Sequence, residues 1–453
     1  MKNPKVVIIG SGSQFTEFFL QEYFKYEKFK GSTLVFVDRK PERLKEELRL
    51  ANKLNEVLEW NVNISGTGER LEALEGADFV YCFVAVNSNE AWDMEFKISQ
   101  KHGLNPFEAY TGGAAGLSFA MRHVPLMLDI CYDIEKICPD AWLILDNNPL
   151  AKMLAAIQTY ANVKFIGYCN GHELMGTALE QFMDMTDRDE SLKNADPIER
   201  EFMVPSGSID ILLAGINHIQ WALEIKDSKT GEDLYPKVME KIYSTKISDF
   251  PAGYRFSFEI AKDFGLIPSP ADNHAGDYIW CVDDKIASDA GLEPYPVSLW
   301  FGGKDASGWR KVADKVDDKR SALRYVNERR TGWMNLLIAH HMLSDGPKYF
   351  PAINIQNNGA ISNLSDDIIV EVPAIIGPDF VSAVQVGPLP EPIAAICELH
   401  GRINNIVADA AATGSKDIAL QALMLDPFIH SVTKAKALLE DILQHNKKYD
   451  TRF

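Results

Sequence analysis

Lys5-Val6-Val7-Ile8-Ile9-Gly10-Ser11-Gly12-Ser13 decides the fold: a short run rich in β-branched residues meets two glycines, and Phe15, Phe18, Phe19 and Tyr23 then recur at helical spacing. This spells strand, glycine turn, helix. Outward from it the pattern repeats. A second strand over Thr33–Val37 ends in Asp38, an amphipathic helix covers 41–54, and a third strand runs over 79–86. Residues 114–138 carry Leu117, Met121, Val124, Leu128 and Cys131 at helical spacing. Strands over 141–145 and 163–168 follow, ending at Asp146-Asn147-Asn148-Pro149 and at Cys169. Strands alternating with helices predict an α/β fold with a parallel sheet. Ligand groups in such sheets gather beyond the carboxyl ends of the strands, which sends Gly10, Asp38, Asn87, Asn148 and Cys169 to one edge.

Between residues 186 and 206 the text turns polar, then resumes as a strand-like run at Ile209–Ala214. The expected division is therefore a Rossmann-like doubly wound domain over 1–195 and a mixed, largely helical second domain over 196–453 with few strands. That second domain closes in helices over 391–411 and 431–446. The length of 453 residues agrees with two or three folding units. With 46% apolar, 10% aromatic and 24% charged residues the chain should fold throughout. Its 46 basic against 64 acidic residues give a formal charge of -18, which disfavours nucleic-acid and membrane-surface partners and leaves room for a local basic pocket. The six cysteines form no CxxC pair, and neither a signal-peptide core nor a membrane-length apolar run is visible, so a reducing, cytoplasmic setting is expected.

Gly10-x-Gly12 lets the backbone approach a pyrophosphate at a helix N-terminus, with Ser13 and Asn87 as further contacts to a dinucleotide. Asp38, at the end of the second strand, suits both ribose hydroxyls of NAD and repels a 2′-phosphate; Arg39 beside it keeps NADP open. Position 15 is Phe where the full fingerprint has its third glycine, so a purely structural glycine turn stays open on these residues alone. Cys169, His172, Asn217 and His218 could converge on a divalent ion, in a spacing that matches no zinc motif. Each also suits ordinary packing or hydrogen bonding. Asp272, His274, Asp277 and Tyr278 form a polar cluster suited to general-base work or polyhydroxy ligands, or to capping a turn.

Taken in order, Gly10-x-Gly12-Ser13, Thr111-Gly112-Gly113-Ala114-Ala115-Gly116-Leu117, Asn148-Pro149, Gly167-Tyr168-Cys169, Gly215-Ile216-Asn217-His218-x-x-Trp221 and Pro268-x-x-x-Asp272-x-His274 resemble glycoside hydrolase family 4 over nearly the whole chain. The resemblance implies a lactate/malate-dehydrogenase-like fold, tightly held NAD and a divalent metal, usually Mn2+. It implies cleavage by oxidation of the sugar at C3, removal of the C2 proton and elimination at C1, outside the ordinary two-carboxylate scheme. By resemblance Cys169 and His218 are the metal ligands, Asn148 is a substrate contact, Asp272 is the base, and His274 supports substrate or base. A homodimer or homotetramer is implied as well. Softer Mn2+ or Co2+ suits a thiolate ligand, and oxidation of Cys169 should abolish activity.

The chain also departs from that pattern. Tyr110-Thr111 stands where many members acting on unphosphorylated sugars have Asp-Thr, which leaves Glu108 or Tyr110 to protonate the leaving group. Asn170 follows the metal cysteine where His is frequent, with His172 displaced by two. The interval from Cys169 to His218 is about twenty residues longer than the resemblance leads one to expect. Asp272-x-His274 resembles the α-glucosidase, α-galactosidase and α-galacturonidase members more than the phospho-β-glucosidases, and Asp93-Met94-Glu95 and Asn357-Asn358-Gly359 leading to Asn363-Leu364 look most like the galacturonidase-type branch, which favours an α-linked sugar, unphosphorylated or a uronic acid. A carboxylate substrate would need a cation, for which Arg122 or Arg255 is the candidate; both suit structural ion pairs equally. Two other functions compete: a lactate/malate-type NAD-dependent dehydrogenase with no need for metal, and a degenerate family member that binds sugar or NAD without turnover.

Overall fold

The computed structural model describes residues 3–13, 15–86, 88–104, 111–185, 207–269, 271–282, 284–291, 313–327 and 334–453. Within them twelve strands form one sheet. They are β1 (Lys5–Ile9), β2 (Thr33–Val37), β3 (Asn63–Thr67), β4 (Phe79–Cys82), β5 (Trp142–Leu145), β6 (Lys164–Gly167), β7 (Ile209–Ile216), β8 (Ile219–Asp227), β9 (Pro268–Ser269), β10 (Lys348–Gln356), β11 (Ile369–Ile376) and β12 (Val381–Ala383). The order β3-β2-β1-β4-β5-β6 is parallel throughout and is the doubly wound dinucleotide-binding arrangement. The sheet then continues antiparallel as β10-β11-β7-β8-β9, with β12 paired to β11.

β1 shows why the first half folds this way. Successive side chains of a strand point to opposite faces, and here both faces are covered. Val7 and Ile9 enter a core with Val124, Leu128, Leu154 and Val407; Val6 and Ile8 enter another with Phe19, Leu54, Tyr81 and Phe350. Each such side chain contributes roughly 1.5–3 kcal/mol when fully buried. Phe15, at the position of the missing third glycine, lies edge-on to Phe83 with ring centroids 6.3 Å apart, and Phe19 packs on Tyr81 at 4.9 Å. Helix and strand thus meet through aromatic rings, where a glycine would have allowed a closer approach.

Two expectations need correction. The segment Asn-Ile-Ser-Gly-Thr, absent from the sequence reading, is a parallel edge strand, β3, with most of its side chains turned to solvent. The second half is also richer in strands than expected: β7 to β12 extend the first half's sheet. The expected boundary at 195 lies outside the described residues. Among the described residues no helix is long and apolar enough to cross a membrane.

Candidate active site

At the carboxyl ends of β1 and β2 the glycine turn is built by close approach. Gly10 has φ +81°, and a Cβ there would sit 2.8 Å from the Val84 nitrogen. Gly12 N–H donates to Asp38 Oδ2 at 2.8 Å, and Lys40 N–H donates to Asp38 Oδ1 at 2.8 Å. A Cβ on Gly12 would stand 2.5 Å from the same Asp38 oxygen. Each carboxylate oxygen retains a second lone pair, so Asp38 suits ribose hydroxyls while bracing the turn. Arg43 reaches the Gly12 carbonyl at 3.1 Å, and the Ser13 hydroxyl accepts from Phe15 N–H at 3.3 Å. Asn87, Glu108 and Tyr110 lie outside the described residues.

The next strands bring the remaining candidates to the same edge. Asn148 follows β5, its side-chain oxygen accepting from Leu150 N–H at 3.4 Å at the start of the helix Leu150–Tyr160. Cys169 follows β6. Burial, then the Glu371 carboxyl, push its thiol well up, against the opposing effects of the Gly171 N–H and the Asn217 side chain. Asn217 also donates to Glu371 at 3.0 Å, so the turn that carries His218 is tied to the surroundings of Cys169. His218, in the two-residue connection between β7 and β8, has φ +71° and is buried. Its Nδ1 lies 3.1 Å from the Thr111 hydroxyl, and its ring meets His274 edge-on at 4.1 Å. Burial, His274 and Lys152 hold His218 neutral, with its pKa well below the usual histidine range.

Asp272 and His274 sit on the short helix Asp272–Tyr278 and are both buried. Asp272 accepts from Ser257 N–H at 2.8 Å, in the first turn of the helix Arg255–Phe264. Burial raises its pKa to about 6 against the opposing pull of those backbone N–H groups. Burial lowers His274 to about 4, and its Nδ1 has no hydrogen-bond partner among the described residues. A buried nitrogen without a partner among the described residues is a place where a polar ligand or water can bind.

Asp277, from the same helix, accepts from both the N–H (3.3 Å) and the hydroxyl (2.9 Å) of Thr111. Lys152 donates to the Thr111 carbonyl and to Asn404 Oδ1, the latter at 2.8 Å. The glycines of the Thr111–Leu117 stretch permit this: a Cβ on Gly112 would lie 2.6 Å from the Asp277 carbonyl, and one on Gly116 would run into the Thr111 carbonyl. Thr111 and Lys152 were given no role on sequence grounds, and only the glycine spacing hinted at a close approach. Glu371 was missed as well. It lies in one row across the sheet, Gly167-Asn354-Glu371-Gly215-Gln220, and burial raises its pKa to about 7 against the Asn217, Asn354 and Gln220 side chains.

Arg122 stands apart from this cluster. Its buried guanidinium pairs with Glu95, reaches Asn446 at 3.3 Å and lies over the rings of Phe119 and Tyr449. It is engaged as a structural ion pair. His172 points to the Ile211 carbonyl at 3.2 Å; burial alone would lower it, and the Glu173 carboxylate outweighs that and holds it above its ordinary value. Arg255 extends to the Ala290 carbonyl at 3.5 Å.

Among the described residues no three His, Cys, Asp or Glu side chains gather as a ligand set. Of the candidates, the Cys169 sulfur and the neutral His218 imidazole are donor types that a divalent metal would take.

The sequence matches the model of family 4 glycosyl hydrolases over residues 5–185 and that of the family's C-terminal domain over 213–429. An α-galactosidase of Bacillus subtilis is 28% identical, with 97% of this chain and 95% of that protein aligned. An α-glucosidase of Erwinia rhapontici is 27% identical, with 97% of each chain covered. The crystal structure of a 6-phospho-α-glucosidase from gut microorganisms, solved with NAD and Mn2+, superposes with a TM-score of 0.75 at 21% identity over 99% of both chains, and shares the fold. With both models together spanning most of the chain, whose sheet opens with the strand, glycine turn and helix of a Rossmann-like fold, this chain belongs to glycosyl hydrolase family 4.

Proposed function

We propose that the protein is an α-glycosidase acting on an unphosphorylated sugar, with NAD and a divalent metal, most suitably Mn2+, as its cofactors. The observation that supports this is the ring contact of His218 with His274, two residues from Asp272 on the same short helix, together with the link through Asn217 from the turn of His218 to Cys169. NAD, when bound, supplies a hydride acceptor for C3 of the sugar, and the metal supplies a Lewis acid for the C2 and C3 oxygens. The chain's residues do the rest. Gly10, Gly12, Ser13 and Asp38, with Asn87, hold the dinucleotide; Cys169 and His218 hold the metal; Asn148 and His274 orient the sugar.

Asp272 takes the C2 proton. Its raised pKa of about 6 leaves it ionised at neutral pH yet basic enough to accept a carbon-bound proton. Activity should therefore fall tenfold per pH unit below about 6 as Asp272 protonates, with Asp272→Asn nearly inactive at every pH. The leaving oxygen is protonated by Glu108 or Tyr110. The α-galactosidase and α-glucosidase relatives support an α-linked, unphosphorylated substrate. The engagement of Arg122 with Glu95 leaves Arg255 as the cation for a uronic acid.

Hydrolysis of nitrophenyl α- and β-galactosides, glucosides, galacturonides and their 6-phosphates, with NAD, Mn2+ and thiol each omitted in turn, tests the proposal. Joint dependence on all three with an α-linked, unphosphorylated sugar is expected. Net NADH accumulation without cleavage, or turnover in EDTA, would overturn it; tight sugar binding without cleavage would point to the degenerate alternative.

A further inference from the structure

Thr111 occupies a position that its hydrogen bonds define completely. A hydroxyl has one proton to give and two lone pairs to fill. Asp277 Oδ2, 2.9 Å away, belongs to a carboxylate and takes the proton; Tyr278 donates its phenol O–H to the Thr111 Oγ1 at 3.3 Å. The third partner, His218 Nδ1 at 3.1 Å, must then be a donor, so this imidazole carries its proton on Nδ1. The arrangement is held from every side. Asp277 also takes the Thr111 N–H at 3.3 Å, and Lys152 clamps the Thr111 carbonyl. Gly112 and Gly116 remove the two Cβ atoms that would push the turn away.

We propose that Thr111 and Asp277 form a positioning relay that fixes His218 as the Nδ1–H tautomer and presents the Nε2 lone pair for coordination. This rests on the proposed role of His218 as a metal ligand and adds the residues that make it one. In a free histidine the proton favours Nε2, the nitrogen that the metal needs bare. Without the relay each binding event must first move that proton. Partners of this kind alter metal affinity by roughly 10–100-fold when removed.

The test uses the full chain stripped with EDTA and titrated with Mn2+ alone, following the free-ion signal by electron paramagnetic resonance. Thr111→Val keeps the shape and deletes the hydroxyl; it should weaken Mn2+ binding by roughly 10–100-fold. Thr111→Ser restores the hydroxyl and should stay within about threefold of the wild type. In the metal-free protein labelled with 15N-histidine, the wild-type His218 should show a protonated Nδ1 and a bare Nε2. Thr111→Val should reverse that pattern, a change that a packing defect alone would not produce. A folded Thr111→Val with wild-type Mn2+ affinity and an unchanged His218 pattern would overturn the relay. Unchanged Mn2+ affinity in His218→Ala would instead remove the ligand role beneath it.

Discussion

Glu371 shows how one buried carboxyl leaves a signature in the pH dependence of stability. Burial raises it from an ordinary 4.5 to about 7, although Asn217, Asn354 and Gln220 pull the other way. An acid whose folded pKa is raised favours the folded state below its unfolded pKa, and that advantage is lost as pH rises through the folded value. Here the loss builds from about pH 4.5 and is complete just above pH 7, at roughly 3–4 kcal/mol. Glu371→Gln keeps an oxygen for the Asn217 donor and cannot ionise. In EDTA it should match the wild type in urea unfolding near pH 4.5 and exceed it by roughly that amount at pH 8. A constant difference across this range would show that the carboxyl is not the titrating group. Arg122 supplies the opposite case. Removing it by Arg122→Met leaves Glu95 buried without its cation and should cost about 3–5 kcal/mol in the same measurement, most of it recovered by adding Glu95→Leu.

Between elements, the glycines decide which surfaces can meet. Gly112 has φ -92° and ψ 178°, open to any residue, so its constraint is packing alone: the helix Gly113–Ile137 starts where the helix Asp272–Tyr278 passes. A Cβ 2.6 Å from the Asp277 carbonyl forces the two apart. Gly112→Ala should therefore lower stability by about 1–3 kcal/mol and weaken Mn2+ binding along with it. Full stability with full affinity would refute that coupling. The contact spans 166 residues of sequence, from Thr111 to Asp277, so the glycine spacing was legible while its partner was not. β1, β2 and β4 could be read directly because strands buried on both faces are continuous apolar runs. β3 escaped because an exposed edge strand has no reason to be apolar. The cluster at Asp272 was visible as residue types, but its engagement with the first turn of the helix Arg255–Phe264 depends on a turn of the chain that no local pattern encodes. Arg122 likewise finds Asn446 across 324 residues, a pairing beyond any local spacing.

At the scale of the molecule, the two halves share more than a border. β10 and β11, from the second half, continue the first half's sheet through Asn354 opposite Gly167, and β7 joins through Gly215 opposite Glu371. Ile403, Val407 and Ala411 of the helix Glu391–Thr413 enter the same core as Val7, Val124 and Leu154. Phe350 and Leu336 likewise share a core with Phe19 and Ile8. The site is divided the same way, with Asp38, Thr111, Asn148 and Cys169 from one half and His218, Asp272, His274 and Asp277 from the other. A sheet and two cores that cross the division mean that neither half can open without exposing buried surface of the other, even though the second half also has a core of its own around Trp221 and Ile368. Calorimetry should therefore show one transition, with the van't Hoff and calorimetric enthalpies in agreement. Val407→Ala, which thins a shared core, should move that transition down without splitting it, at a cost of about 1–3 kcal/mol. Two resolved transitions, or an Asp38-bearing half that still binds NAD after the second has melted, would show that the halves fold independently and that the shared sheet is only a seam.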